Sequence, residues 1–565
     1  MKTLNLHCDY IKFKALKPAI KTIEEIAPKQ NKEGEAKDCL VVLIAIEKGD
    51  SPKSIPQLLE SIKKIATDVK TETIVLYPYA HLSSNLGSPS LAIKILNETA
   101  KQLSDFKVIQ APFGYYKSFE LKVKGHPLSE LSREFTIKEN EEKDISEEER
   151  KQLLRTISKA KLDTSKLEEN DHRIIGSKMN LWSFNNVAPG MVFWHPKGLH
   201  IKNKLIEFWR ELHRKDGYEE ISTPQVMDRK LWEVSGHWSQ YGENNFKTQY
   251  EKRDFIVKPM NCPGGMLVYK TSPKTFRDLP LRVGEIGVVH RVELSGTLGG
   301  LFRVIQFTQD DAHIFCTENQ LESEVQRIIN LINKTFKQFG LEFDHVELST
   351  RPEKRVGSEE VWDLAEKALQ NILEKSEMKY SINEGDGAFY GPKIDFHLKD
   401  SLNRTWQCST IQLDMALPER FNLKYQDSEN NELQPIMLHR VIYGSLERFL
   451  GIITEHFNGK FPLWISPNQI KVMTLNDDAK DYANEIYQDL FNEGYQVELN
   501  DKSESMGKKA REASIQRFNY ILTVGEKEMK ENTIAIKARD SKEIQTMTLK
   551  EFKEKIQTEI SEKTL

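Results

Sequence analysis

Apolar positions along the first 137 residues fall into short unbroken runs separated by amphipathic stretches. Leu40-Val41-Val42-Leu43-Ile44-Ala45-Ile46 and Ile74-Val75-Leu76-Tyr77 have the look of strands buried on both faces. Over residues 88–106 the spacing becomes helical: Ser88 sits at the cap, Pro89 in the first turn, and Leu91, Ile95 and Leu96 form the buried stripe. From 138 to 178 apolar positions thin out. The segments 139–144 and 147–151 are dominated by Glu and Lys, which predicts a solvated helix or tether. Aromatics return at Trp182-Ser183-Phe184 and continue through 190–198, opening a Trp- and Gly-rich stretch that runs to 465. Beyond Ser466-Pro467, strand runs over 470–474 and 520–524 alternate with helices, predicting a small α/β unit. The chain therefore divides into 1–137, 138–178, 179–465 and 466–565, with no internal repeat.

Composition adds limits. A length of 565 residues predicts three or four domains, and 38% hydrophobic against 29% charged residues suits a soluble protein with several cores. No apolar run reaches membrane-spanning length, and Met1-Lys2-Thr3 leads into a strand pattern without a signal peptide, so a cytoplasmic location is expected. Five cysteines without a paired framework fit a reducing compartment. A net charge of −4 excludes a histone-like binder but leaves room for a folded RNA on local basic patches.

Candidate chemistry concentrates between 180 and 465. A P-loop is absent, as are the His-Ile-Gly-His and Lys-Met-Ser-Lys-Ser signatures. Instead, Arg291-Val292-Glu293 precedes a Gly/Ser loop over 295–300, followed by Phe302-Arg303 and a run to His313. Such a hairpin either carries ordinary surface arginines or aims two guanidinium forks at a phosphate. A third arginine lies in the segment 439–453, read as one amphipathic helix with Ile442, Leu446, Phe449, Leu450 and Ile453 buried. Arg448, about 240° round from Ile442, leaves that stripe for a cleft.

These segments resemble class II aminoacyl-tRNA synthetases. The stretch 217–224, ending in Pro224, resembles motif 1 at the dimer interface; the Arg291 hairpin resembles motif 2 and 444–448 motif 3. Phe193-Trp-His-Pro-Lys-Gly, Met260-Asn-Cys-Pro-Gly, Gln309-Asp-Asp-Ala-His-Ile-Phe and 385–393 are similar to threonyl-tRNA synthetases in particular. The resemblance implies an antiparallel-sheet catalytic domain, a homodimer, and ATP with magnesium, threonine and tRNA(Thr) as ligands. It implies that Arg291 holds the α-phosphate, Arg448 the γ-phosphate, and Arg303 the phosphates generally. Glu293 and Gln407 would line the adenosine, and Lys393 would hold substrate and adenylate. Attack of a threonine carboxylate on the α-phosphorus needs positioning and charge neutralisation rather than a covalent nucleophile.

Taken singly, Cys262, His313 and His439 would be a buried thiol and two satisfied imidazoles. In the family these positions bind zinc, and three protein ligands leave tetrahedral zinc an open position. Threonine and valine are nearly isosteric, so a site demanding a hydroxyl separates them far better than an apolar pocket. The resemblance makes Asp311 the hydroxyl's acceptor and Tyr390, Gln309, Met260 and Gln412 the pocket wall. Cys316 and Cys408 are expected to be bystanders.

Serine keeps the hydroxyl, and a missing methyl changes binding by only about 1–3 kcal/mol, so a faithful enzyme needs a second site. The segments 6–10, 77–84, 111–119 and 124–130 resemble the editing domain of archaeal threonyl-tRNA synthetases, with the fold of D-aminoacyl-tRNA deacylases. The resemblance places Lys117, Tyr116 and His81 in a seryl-tRNA pocket, with Glu130 and Asp9 as further candidates. Residues 466–565 resemble the α/β anticodon-binding domain. Glu528 matches a base-contacting position, while Lys537 and Ser503 stand where bacterial relatives carry arginine and asparagine. Lys508, Lys509 and Arg511 either meet phosphates or form a solvated helix face. Two rivals are a synthetase-like protein without catalysis and a ligase for serine or proline. Retention of both arginines and metal ligands opposes the first, and the zinc trio with Asp311 opposes the second.

Overall fold

The structure, a computed structural model, describes residues 1–20, 23, 30–135, 146–157, 167–240, 245–376, 378–400 and 403–565. It divides into two compact units, Met1–Ser146 and Glu147–Leu565. No helix among the described residues is long and apolar enough to cross a membrane. Of the expected charged tether, 139–144 lie outside the described residues, while Glu147–Ile157 (α3) is a helix with no buried residue.

In the first unit, long strands β1 (Lys2–Pro18) and β2 (Glu33–Ala45) pair antiparallel. Strands β3 (Thr73–Pro78) and β4 (Lys107–Gln110) extend the sheet in parallel beyond β2. On the other side of β1, β5 (Tyr115–Val123) and β6 (Glu130–Glu134) pair with different parts of that strand. Helices α1 (Ile55–Asp68) and α2 (Pro89–Gln102) bury Leu58, Ile62, Ile95 and Leu96 against Leu40, Val42, Ile44 and Leu76. Val41, Leu43, Val75 and Tyr77 enter a second core with Cys8 and Phe13 on the opposite face. Both faces are covered, which is why these strands read as continuous apolar runs. The Ser88 hydroxyl accepts from the Leu91 amide as the expected cap of α2.

The second unit is built on an eight-stranded sheet. Its strands are β7 (Glu219–Glu220), β8 (Leu281–His290), β9 (Gln306–Cys316), β10 (Phe343–Ser349), β11 (Ser381–Asn383), β12 (Lys393–Lys399), β13 (Thr405–Asp414) and β14 (Ile436–Ser445), in the order β11-β10-β12-β13-β14-β9-β8-β7. The edge strands β7 and β11 join in parallel, and all other pairs are antiparallel. Helices α4 (Pro196–Lys215), α5 (Glu318–Lys337), α6 (Glu359–Lys375) and α7 (Leu446–His456) contribute Leu205, Ile332, Leu369 and Phe449 to one core with Ile314, Ile394, Ile411 and Leu438 of the strands. The opposite face carries polar groups beside a second apolar core, in which Val283, Phe315 and Met437 of the strands pack with Met266 and Tyr390.

The segment 439–453 is not one helix. Strand β14 runs to Ser445, and α7 begins at Leu446 with the Ser445 hydroxyl accepting from the Arg448 amide. Ile442 is thus a strand residue, as buried as the helical Leu446 and Phe449, so the stripe looked continuous across the junction. The buried Asp310 carboxylate accepts from the amides of Ile442, Tyr443 and Gly444 at 2.9–3.1 Å and holds the bend. Gly444 sits at φ 82°, and a Cβ there would stand 2.4 Å from the Cys408 carbonyl oxygen.

A five-stranded sheet closes the chain: β15 (Ile470–Thr474), β16 (Val497–Asn500), β17 (Tyr520–Val524), β18 (Ile534–Ala538) and β19 (Ile544–Met547), ordered β16-β15-β17-β18-β19. The first three are parallel and the last two antiparallel, with helix Leu549–Glu562 burying Phe552 and Ile556 against them.

Candidate functional site

Cross-strand register lays the chemistry out in rows on the face of the eight-stranded sheet opposite its helices. His313, His439, Gln412 and Lys393 are successive partners across β9, β14, β13 and β12. The next row, two residues along, runs Asp311, Val441, Thr410, Asp395 and Glu347. Strand pleating sends the residues between them into the helix-side core.

Cys262 opens helix Cys262–Tyr269, and its thiol and one nitrogen each of His313 and His439 lie within 4.8 Å of one another. All three are buried. His439 Nε2 is 2.8 Å from Asp414 Oδ2, and the other Asp414 oxygen accepts from the amides of Ala416 and Leu417. This carboxylate orients the imidazole as an outer partner does at a metal centre. His313 Nε2 is buried without a hydrogen-bond partner among the described residues, an arrangement that costs about 1–3 kcal/mol if nothing binds there. Burial pushes the Cys262 thiol far up and His313 down to about 4. A thiol and two imidazoles form a donor set for a borderline-soft cation, and the residues fit one.

The remaining pocket residues gather round this trio. Tyr390 places its ring 5.0 Å from that of His439, and Gln412 donates to the Gly391 carbonyl at 3.2 Å. Asp311 accepts from Asn261 at 3.1 Å, and Gln309 lies two places before it on β9. Met260 Sδ stands 2.9 Å from His237 Nε2, which is itself 4.0 Å from the Cys262 sulfur. His237, Asn261 and Asp414 escaped the sequence reading. Asp414, at the end of β13 beside the Met437 partner of β14, is traceable only through register. Cys316 and Cys408 lie in the helix-side core.

The three arginines lie outside the strands: Arg291 just after β8, Arg303 in the loop before β9 and Arg448 in the first turn of α7. Arg291 follows β8, donates to the Pro259 carbonyl at 3.2 Å and lies 5.2 Å from the Phe307 ring centroid. Arg303 pairs with Glu293 at 3.0 Å. Arg448 donates to the carbonyls of Phe302 and Gln407, both at 3.1 Å, and burial lowers its pKa. The Gln407 amide in turn donates to Asp395 and to Thr410. Lys393 pairs with Asp395 at 2.8 Å and Asp386 at 3.0 Å. Burial opposes its charge, but the two carboxylates outweigh it and raise the pKa. Asp395, buried, is the hub that joins Lys393 to Gln407; it too was missed from the sequence.

In the first unit, Lys117 donates to the carbonyls of Pro112 (2.9 Å) and Pro78 (3.4 Å) and sits 4.8 Å from the centroid of Tyr77. Tyr77 neighbours Tyr79, whose ring is 5.4 Å from that of the exposed His81. Lys117 and His81 thus share one cluster. Tyr116 does not join it: adjacent residues on β5 point to opposite faces, and Tyr116 is 58% exposed beneath Lys17. Asp9 pairs with Lys122, and Glu130 is exposed at the start of β6. Burial lowers Lys117 to about 8, so the unfolded chain binds more protons than the folded one between about pH 8 and 10.5. Stability should rise with pH across that window, by about 3 kcal/mol in total. Denaturant titrations from pH 7 to 11 should show this gain in the wild type and a flatter profile in Lys117→Met.

At the C-terminal sheet, Glu528 accepts from the Gly525 amide at 2.9 Å as a helix cap, and Lys537 is exposed on β18. Ser503 bonds Asp477 at 3.0 Å. Lys509 is buried, donating to the Thr474 carbonyl at 2.9 Å, and so cannot be a phosphate contact. Lys508 pairs with Glu504 at 2.7 Å, and Arg511 is exposed.

Three family models match the chain: the Archaea-specific editing domain of threonyl-tRNA synthetase over 1–135, the tRNA synthetase class II core domain (G, H, P, S and T) over 246–457, and the anticodon binding domain over 469–559. A threonine–tRNA ligase of Clostridium tetani is 49% identical over 424 residues, which is 73% of this chain and 66% of the relative. One from Carboxydothermus hydrogenoformans is 50% identical over 70% of this chain and 62% of the relative. The chain thus spans slightly less than two thirds of these relatives' lengths. Among solved structures, the RNA binding domain of threonyl-tRNA synthetase from Cryptosporidium parvum is 40% identical with a TM-score of 0.67, covering 69% of this chain and 98% of that one. With that structure matched over nearly its whole length, and with the arginine hairpin and the Cys262, His313 and His439 trio assembled on one sheet face, the chain belongs to the threonyl-tRNA synthetase family.

Proposed function

We propose that the chain is a threonine–tRNA ligase that activates threonine with ATP, transfers it to tRNA(Thr) and hydrolyses Ser-tRNA(Thr) in its first unit. The observation that carries this is the contiguity of the buried Cys262, His313 and His439 trio with the row ending in Lys393. Cys262, His313 and His439 would hold zinc, which when bound supplies an open coordination position for the amine and hydroxyl of threonine. Asp311 accepts a hydrogen bond from that hydroxyl, and Tyr390, Gln309, Met260 and Gln412 close round the side chain. Arg291 and Arg448 take the α- and γ-phosphates of magnesium-bound ATP. Arg303 must then turn from Glu293 to the phosphates, leaving Glu293 and Gln407 for the adenosine. Lys393, kept protonated by Asp395 and Asp386, neutralises charge as the carboxylate reaches the α-phosphorus.

ATP–pyrophosphate exchange with each of the twenty amino acids tests the reading: strong exchange with threonine, weak with serine and none with valine is expected. Exchange specific to another amino acid overturns it. His439→Ala should lose most bound zinc by elemental analysis and reduce threonine activation by at least about a hundredfold. A zinc-free wild-type chain with full activity would refute the pocket.

The homodimer is proposed from the motif 1 likeness of 217–224, which follows α4 and contains β7. Sedimentation equilibrium should give twice the chain mass; a fully active monomer would contradict it. Five free, buried cysteines support a reducing compartment, and we place the chain in the cytoplasm. Glu528 and Lys537 remain the proposed anticodon contacts.

A further inference from the structure

Outside the trio, His345 and Glu347 of β10 and His397 of β12 bring three donor atoms within 4.8 Å of one another. His345 and His397 are cross-strand partners, with rings stacked at 4.3 Å and 12°. His345 Nε2 lies 3.4 Å from one oxygen of Glu347, and His397 Nε2 lies 3.4 Å from the other. Ligands about 2.0–2.1 Å from a tetrahedral ion stand roughly 3.4 Å apart, so each histidine–carboxylate spacing suits a shared cation once the two rings turn out of their stack and aim both lone pairs at it.

The surroundings fix the donors. His345 Nδ1 is 2.9 Å from Asp344 Oδ2, which in the neutral ring draws the proton to Nδ1 and leaves a lone pair on Nε2. Asn383 donates to Glu347 Oε2 at 3.0 Å and orients that carboxylate. His397 Nε2 is buried and has no hydrogen-bond partner among the described residues. We propose that His345, Glu347 and His397 form a second divalent-metal site on the outer strands of the catalytic sheet. Two imidazoles and one carboxylate select ions such as Zn²⁺, Co²⁺ or Ni²⁺ over Mg²⁺. The site is separate from the trio, since β13 stands between β12 and β14. It adjoins Asp395, the cross-strand partner of Glu347, and so borders the Lys393 and Gln407 network.

The test titrates the chelator-stripped full chain with Co²⁺ in excess Mg²⁺. The wild type should take up one equivalent with ligand-field absorption but no sulfur-to-cobalt charge transfer, besides the thiolate equivalent at Cys262. Cys262→Ser should retain that sulfur-free equivalent, whereas His397→Ala should lose it and keep the thiolate band. His345→Ala, altering a side chain 38% exposed, gives the same readout should His397→Ala fold poorly. A Cys262→Ser chain that binds no Co²⁺, or a sulfur-free equivalent surviving both histidine variants, overturns the site. Loss of the thiolate band alone in the wild type would count against the trio and leave this site standing.

Discussion

Arg448→Ala should slow threonine-dependent ATP–pyrophosphate exchange by about 10²–10³-fold at saturating threonine, the usual effect of removing one preorganised donor from a developing charge. The guanidinium is held by two backbone carbonyls, of Phe302 and Gln407, so in the proposed role it would meet the phosphate from a fixed position. Arg448→Lys should recover only part of the loss, because an ammonium cannot reproduce the planar fork. Neither change should unfold α7, whose buried side is formed by Leu446, Phe449, Leu450 and Ile453. Full activity in Arg448→Ala, with an unchanged melting temperature, would remove this residue from the phosphate site.

Deleting residues 1–137 should leave threonine activation nearly unchanged and let Ser-tRNA(Thr) accumulate. The sheet rows, the trio and the arginines all belong to Glu147–Leu565, whereas Lys117 and His81 belong to Met1–Ser146. One methyl is worth about 1–3 kcal/mol, so the activation pocket alone should accept serine at roughly one part in ten to one in two hundred. Preformed Ser-tRNA(Thr) and Thr-tRNA(Thr) offered to both chains would measure it. Rapid clearance of the serine ester by the shortened chain would mean that the first unit is not the editor.

The sequence made the strands at 40–46 and 74–77 legible because each is buried on both faces and reads as an apolar run, and those at 470–474 and 520–524 because Ile470, Val472, Tyr520, Leu522 and Val524 enter the core at alternate positions. The cap at Ser88 was legible because its chemistry is local. Two kinds of feature were hidden. The strand-to-helix junction at Ser445 was masked by Ile442, which is buried from a strand yet falls in phase with the helix behind it. Asp395, Asp414 and Asn261 were hidden because their roles depend on partners such as Gln407, His439 and Asp311 that only folding brings beside them. The same reason explains Lys509: a lysine among exposed ones turns inward to the Thr474 carbonyl, and nothing local announces it. Tyr116 is the converse case, since strand pleating alone separates it from Lys117.

The alternation on β13 has a consequence for how such a chain can vary. Gln412 and Thr410 face the ligand side, while Ile411 and Leu413 belong to the core beneath the helices. Losing or gaining a single residue inside this strand would exchange those sets, turning hydrocarbon toward the nucleotide and an amide toward packed aliphatic groups. Length changes in a lineage should therefore collect in exposed turns such as 428–431 or 353–354. The strands themselves should drift only by substitution, and an engineer inserting a tag or a reporter should choose the same turns.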